Sequence, residues 1–306
     1  MDLQRRNFLA VGALVATMAT PAFGQAVAPA VGPAHNGKEG TTAIPDFSGI
    51  WVHSNGYEPL PSGPTSLVNR SRRGDGVGNG LRLVGDYTNP ILKPEAAAIV
   101  KKHGEIALKG EGDPTPRNQC WPGGVPFAFP SGTTELIQQP DKVTILYGYD
   151  HQVRQVRINQ SHPAKVTPSW YGDSVGHYEG DALVIDTVGI KIGPFAMVDW
   201  FGTPHTDALH VVERYRMLDY DAAKEGFERD RKERALNLAM SDPKPGGKYL
   251  QLRFTVEDTG VFTTPWTATM TYGLSPADWT EQVCAENIAW YSGKDAEVPR
   301  AAKPDF

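Results

Sequence analysis

The chain has 306 residues, 40% of them hydrophobic, and a formal charge of −5 at pH 7. That length buries a full-sized core without a disulfide framework, and the mildly acidic balance gives no basic field, which argues against nucleic acid and anionic membrane surfaces as partners. With 32 glycines and 25 prolines the composition favours an all-β chain with many turns over a helical bundle.

Residues 1–26 read as an export signal: Arg5 and Arg6 precede an apolar run from Phe8 to Ala19, followed by small residues at Gly24 and Ala26. The RRNFLA segment fits a twin-arginine signal, with an ordinary secretion signal carrying two incidental arginines as the alternative. The run is too short to span a bilayer stably, so no membrane span is expected after cleavage and the mature protein is expected in the periplasm. Residues 27–44, rich in Ala, Pro and Gly, read as a flexible tether, and 45–306 as one domain.

The domain opens with DFSGIW, where Gly49-Ile50-Trp51 resembles the Gly-x-Trp start of lipocalin-type barrels; three residues carry little weight, and a plain core tryptophan explains them better. From Pro61 to Asn89 no apolar period is visible, so a long loop is expected, placed to cover a barrel mouth. Pro94 to Lys109 has the proline and alanines of a surface helix. The segment DPTPRNQCWPGGVPFAFP is too proline-rich for a central strand and reads as an extended loop carrying Trp121, Phe127 and Phe129 toward core or pocket. In an oxidising compartment Cys120 and Cys284 are expected to pair. A nucleophilic cysteine is the weaker reading, because no helix start stands beside Cys120 to lower its pKa.

The stretch from Lys142 to Met217 carries most of the acids, bases and histidines. Alternation predicts a strand through Tyr147, a reversal at Asp150 and His151, and a returning strand whose faces hold Val153, Gln155 and Arg157 against Gln152, Arg154 and Val156. The EGD tripeptide, Glu179 to Asp181, predicts a second hairpin. Asp186 shares a face with Val184 and Val188; if that face is the core, the carboxylate is buried among valines. A further strand sets His210, Val212, Arg214 and Arg216 on one side and Val211, Glu213 and Tyr215 on the other. Before it, a loop holds Phe195, Met197, Trp200 and Phe201, suited to plugging a core or walling a ligand pocket.

Asp221 to Met240 reads as a charged, solvated helix; two alternating strands follow, and SPADWTEQVCAENIAWY reads as a short helix capped by Ser275 with Pro276 at its first position. The count of about eight strands predicts an antiparallel, lipocalin-like or calycin-like β-barrel with long loops and peripheral helices.

DFSGIW, ILYGYDHQVRQV, SWYGDSVGHYEGDALVIDTVGI and PHTDALHVVERYRM together resemble a family of exported bacterial proteins known chiefly from sequence, over roughly residues 45–290 apart from the charged segment 221–240 and the arginine-rich early loop. The resemblance implies export and transfers no catalytic assignment.

The chemistry therefore rests on residue types. Neither a P-loop nor a glycine-rich dinucleotide turn is present, so no nucleotide cofactor is expected. Ser174 in GDSVG lacks the helix that follows a nucleophile elbow. His205, His210 and Glu213, which His151 or His162 could join, match no zinc spacing, and His210 and Glu213 point to opposite faces of a strand, so no metal is expected. Acid–base work without a cofactor remains. Asp150, His151, Arg154, Asp186, His205 and His210 are the candidate catalytic residues, with Tyr147 or Arg154 stabilising an oxyanion and Tyr147, Trp121, Trp170, Trp200 and Phe201 walling the ligand. The expected function is that of a lyase, hydratase or isomerase acting on a small hydrophobic molecule in a barrel cavity. A non-catalytic lipocalin-type carrier and a metal-dependent hydrolase are the alternatives, and ion pairs that only fix sheet register would explain the same residues.

Overall fold

The computed structural model describes residues 44–53, 56–110, 115–130, 132–193, 195–233, 242–279 and 282–284. All belong to the unit Thr42–Phe306. The expected signal peptide and nearly all of the expected tether lie outside the described residues.

The strands are β1 (Gly49–Val52), β2 (Glu58–Pro59), β3 (Thr133–Gln138), β4 (Lys142–Tyr147), β5 (Gln152–Ile158), β6 (Asp173–Glu179), β7 (Ala182–Val188), β8 (His210–Leu218), β9 (Tyr249–Glu257) and β10 (Trp266–Leu274). β1 and then β3 to β10 follow one another around a single sheet, which closes where Trp51 and Val52 pair with Leu274 and Gly273. The short β2 adds to the same edge of β10 through Ala268 and Thr269. Among the described residues nine strands thus close the barrel.

The barrel class is the one the alternation predicts, but it is not wholly antiparallel. β5 and β6 run parallel, with Arg157 opposite Val175 and Ile158 opposite Gly176. The segment between them, from Asn159 to Gly172, carries the chain back along the wall before β6 begins, which a hairpin of a simple up-and-down meander does not do. Elsewhere the predicted reversals are found. Tyr147 faces Gln152 across the turn that holds Asp150 and His151, and Glu179 faces Ala182 across a two-residue turn in which Gly180 adopts φ 58°, a left-handed conformation that glycine enters without strain.

The inward face of the barrel is filled. Leu136, Ile145, Tyr147, Arg154, Leu183, Ile185, Glu213, Tyr215, Leu252, Phe254 and Met270 are each at most 2% exposed. A hollow wide enough for water would leave its lining atoms accessible, so the expected ligand cavity inside the barrel is replaced by side-chain packing. Trp51 of β1 joins this core, its indole N–H donating to the Phe47 carbonyl at 2.9 Å.

Helix α1 spans Pro94–Lys109 as predicted, opened by its proline and ended by Gly110 in the left-handed conformation, φ 77°. Helix α2, Tyr220–Glu233, is less solvated than its charge suggests: it buries Ala223, Gly226, Phe227 and Asp230. Gly226 lies against β10 so closely that a Cβ there would meet Thr271 Oγ1 at 2.0 Å. The part of the predicted helix beyond Glu233 lies outside the described residues. The helix predicted from Ser275 does not start there; Ser275 Oγ accepts the Ala277 amide at 3.1 Å in a local turn, which satisfies the serine without a helix. The long loop from Pro61 to Asn89 holds no named strand and buries Leu67 in the main core. Cys120 and Cys284 form the expected disulfide.

Candidate active site

Asp186 and His210 meet on the outer wall of the barrel. In β7 the buried side chains include Ala182 and Val184 as well as Leu183, Ile185 and Thr187, so the strand is apolar on both faces and alternation alone does not tell inside from outside. The inward row is Leu183, Ile185 and Thr187; Asp186 projects outward with Val184.

Two imidazoles hold the Asp186 carboxylate, His162 Nε2 at 2.9 Å from Oδ1 and His210 Nε2 at 3.0 Å from Oδ2. Each ring continues to another carboxylate, His162 Nδ1 to Asp173 at 2.6 Å and His210 Nδ1 to Glu257 at 3.3 Å. Asp173 in turn accepts two hydrogen bonds from Arg157, at 2.8 and 2.9 Å. The line Arg157, Asp173, His162, Asp186, His210, Glu257 thus alternates base and acid across β5 to β9, with His162 supplied by the segment between β5 and β6. From Asp173 to His210 the side chains are 17 to 22% exposed, whereas Glu257 is 49% exposed.

Carboxylates accept and do not donate, so the His210 ring, set between Asp186 and Glu257, satisfies both contacts only with both nitrogens protonated. Consistent with this, the Asp186 hydrogen bond outweighs burial and raises the His210 pKa. Burial alone would push the Asp186 carboxyl up, but the hydrogen bonds and charge of His210 and His162 prevail and hold it below the usual carboxylate range. Arg157 does the same for Asp173.

The raised His210 pKa contributes stability that is complete below the unfolded value of about 6.5 and is lost as pH rises through the folded value. The lowered Asp186 pKa contributes stability present above about 3.9 and lost as pH falls through its folded value. These two contributions are together greatest between about pH 4 and 6.5, and thermal unfolding of wild type and Asp186→Asn followed against pH isolates them. Asp186→Asn should flatten the decline above that window; equal declines in both proteins would contradict the array.

The other predicted residues are dispersed. Arg154 points into the barrel and forms a two-pronged ion pair with Glu213, at 3.0 and 2.6 Å, with the hydroxyls of Ser174 and Thr187 accepting two further N–H groups at 3.0 and 2.5 Å. Burial works against the charged guanidinium, yet Glu213 outweighs it and raises the pKa of Arg154 above its ordinary value. Tyr147 lies 3.3 Å from Arg154 and is pushed up to about 12 by burial. Both are enclosed by packed side chains and neither faces a ligand space. His151 holds the C-terminal segment: Nδ1 lies 3.1 Å from the Trp279 indole nitrogen and Nε2 2.9 Å from the Gln282 amide. The Asp150 side chain lies outside the described residues.

His205 sits with Trp121 and Trp170 around a shallow recess of about 10 Å³, while Trp200 and Phe201 line a second one of about 30 Å³ with Tyr57 and Asp199. His205, His210 and Glu213 do not converge: one lines a recess, one faces outward and one is inside the barrel. Among the described residues no group of three acids, histidines or cysteines is arranged to hold a metal ion.

Strand patterns alone miss His162, Asp173 and Glu257. Glu257 is recoverable only from the register that sets it opposite His210. His162 stands in a segment without apolar period, and its one signal is an imidazole just upstream of the strand that pairs with Asp186.

The fold and this array together define a closed, mixed β-barrel that carries its clustered titratable groups on the outer wall. Comparison of the chain with protein-family models, curated proteins and solved structures gives no match.

Proposed function

We propose that the protein is an exported, cofactor-independent acid–base enzyme, a lyase, hydratase or isomerase, acting on a small organic molecule at the outer wall. The observation that carries this reading is the single carboxylate of Asp186 gripped by the Nε2 atoms of His162 and His210. A carboxylate that fixes one nitrogen of an imidazole orients the other for proton exchange. His210 presents that other nitrogen, Nδ1, toward Glu257, through the longest contact of the array and to its most exposed member. When a substrate takes the place of Glu257, Nδ1 gives its proton to the substrate and later recovers one. His162, anchored by Asp173 and Arg157, keeps Asp186 from rotating away. The raised His210 pKa makes the ring an acid first, which suits protonation of a leaving group or of a carbanion.

The twin-arginine-like start, the resemblance to exported bacterial proteins and the Cys120 to Cys284 disulfide support a periplasmic setting. The packed interior speaks against a carrier that encloses its ligand in the barrel.

Incubating wild-type protein and His210→Ala with small molecules extracted from the native periplasm tests the reading. Mass features that change with time in the wild type are expected to change about 100-fold or more slowly in the variant, the usual contribution of a general acid–base group. His210→Ala should keep its melting temperature within a few degrees. Identical profiles for the two proteins, or a variant that fails to fold, would leave the array a purely structural clamp.

A further inference from the structure

We propose that the recess between Trp121 and Trp170 binds a small aromatic carboxylate, with the indoles holding its ring and Lys191 its anionic group. The two indoles meet edge to face, centroids 5.3 Å apart at 65°, and Trp121 is 38% exposed although it adjoins the disulfide that pins its loop. Large aromatic side chains held rigid at a surface supply contact area at small entropic cost. Gly193 packs on the Trp170 ring so tightly that a Cβ there would fall 2.6 Å from it. Any side chain at that position would push the ring from its place.

The charge of the recess selects the ligand. Among the described residues Lys191 is its sole formally charged lining group, with its ammonium 4.8 Å from the centre of the Trp170 ring. Lys191 makes no ion pair among the described residues; its ammonium rests over the Trp170 ring with no anion beside it. No carboxylate among the described residues lines the recess, which disfavours sugars and organic cations that such groups would recognise. His205 adds a neutral acceptor: its Nδ1 donates to the Thr206 carbonyl at 3.1 Å, burial lowers its pKa, and its Nε2 has no partner among the described residues. An anion on Lys191 with a ring across the indoles, and a ring hydroxyl donating to His205, matches all three groups. The enclosed part of the recess, about 10 Å³, holds roughly one water, so the ring lies across the open mouth against Trp121.

The inference concerns binding alone and stands apart from the acid–base reading. Tryptophan fluorescence of the mature, disulfide-bonded protein, titrated with benzoate and 4-hydroxybenzoate, is expected to show saturable quenching, tighter for the hydroxylated acid. Benzamide, which lacks the charge, and acetate, which lacks the ring, should bind about tenfold or more weakly, as should benzoate to Lys191→Gln; Lys191→Arg should retain binding. Absence of saturable quenching, equal binding of benzamide, or undiminished binding by Lys191→Gln would each overturn the proposal.

Discussion

Replacing Glu213 by glutamine is expected to lower the stability of the barrel by about 3–5 kcal/mol, a fall of roughly 10 °C in melting temperature for a domain of this size. Arg154 and Glu213 are 1% and 0% exposed at their side chains. Removing one charge leaves the other in a medium that cannot solvate it, and the loss of the attractive partner exceeds the loss of the hydrogen bonds. The pair itself is not the source of that stability, because taking both charges out of water offsets most of their attraction. The double variant Arg154→Met with Glu213→Leu should therefore recover most of the loss of the single one. Chemical denaturation of wild type, single and double variants decides it. Additive losses would mean that the surrounding hydroxyls of Ser174, Thr187 and Tyr215, rather than the charges, set the cost.

Cys120→Ser with Cys284→Ser is expected to lower stability by about 2–5 kcal/mol, again near 10 °C in melting temperature. The bond closes a loop spanning 164 residues, so its removal frees a large part of the unfolded chain. The Cys284 end is further held by the Tyr149 hydroxyl, which contacts both Cys284 Sγ and the Arg117 carbonyl. Thermal unfolding with and without reductant measures the effect. Melting temperatures that coincide in the two conditions would show that the C-terminal segment is held by packing alone.

Elements whose signals are local were legible in the sequence. Helix α1 needed only its opening proline, its alanines and the glycine that follows, and the β6–β7 hairpin only its Gly180 turn. The closed barrel followed from a succession of alternating strands. What alternation lacks is a sense of direction and of side. The parallel step from β5 to β6 depends on how an aperiodic segment crosses the wall, and β7 carries apolar residues on both faces, Ala182 and Val184 being buried on its outer side. Asp186 was therefore recognisable as unusual while its surroundings were not. The inward polar group proved to be Glu213 with Arg154, a pair separated by 59 residues that no spacing rule connects. His162 became a partner of Asp186 only through that same crossing segment.

The array's shared carboxylate is tested most directly by nitrogen-15 NMR of the histidine rings in wild type and Asp186→Asn across neutral pH. The His210 ring should keep both protons to a pH above the ordinary value of about 6.5 in the wild type, and its titration midpoint should drop in the variant. A His210 midpoint that is the same in both proteins would mean that Asp186 does not govern this imidazole, and the acid–base reading of the outer wall would lose its foundation.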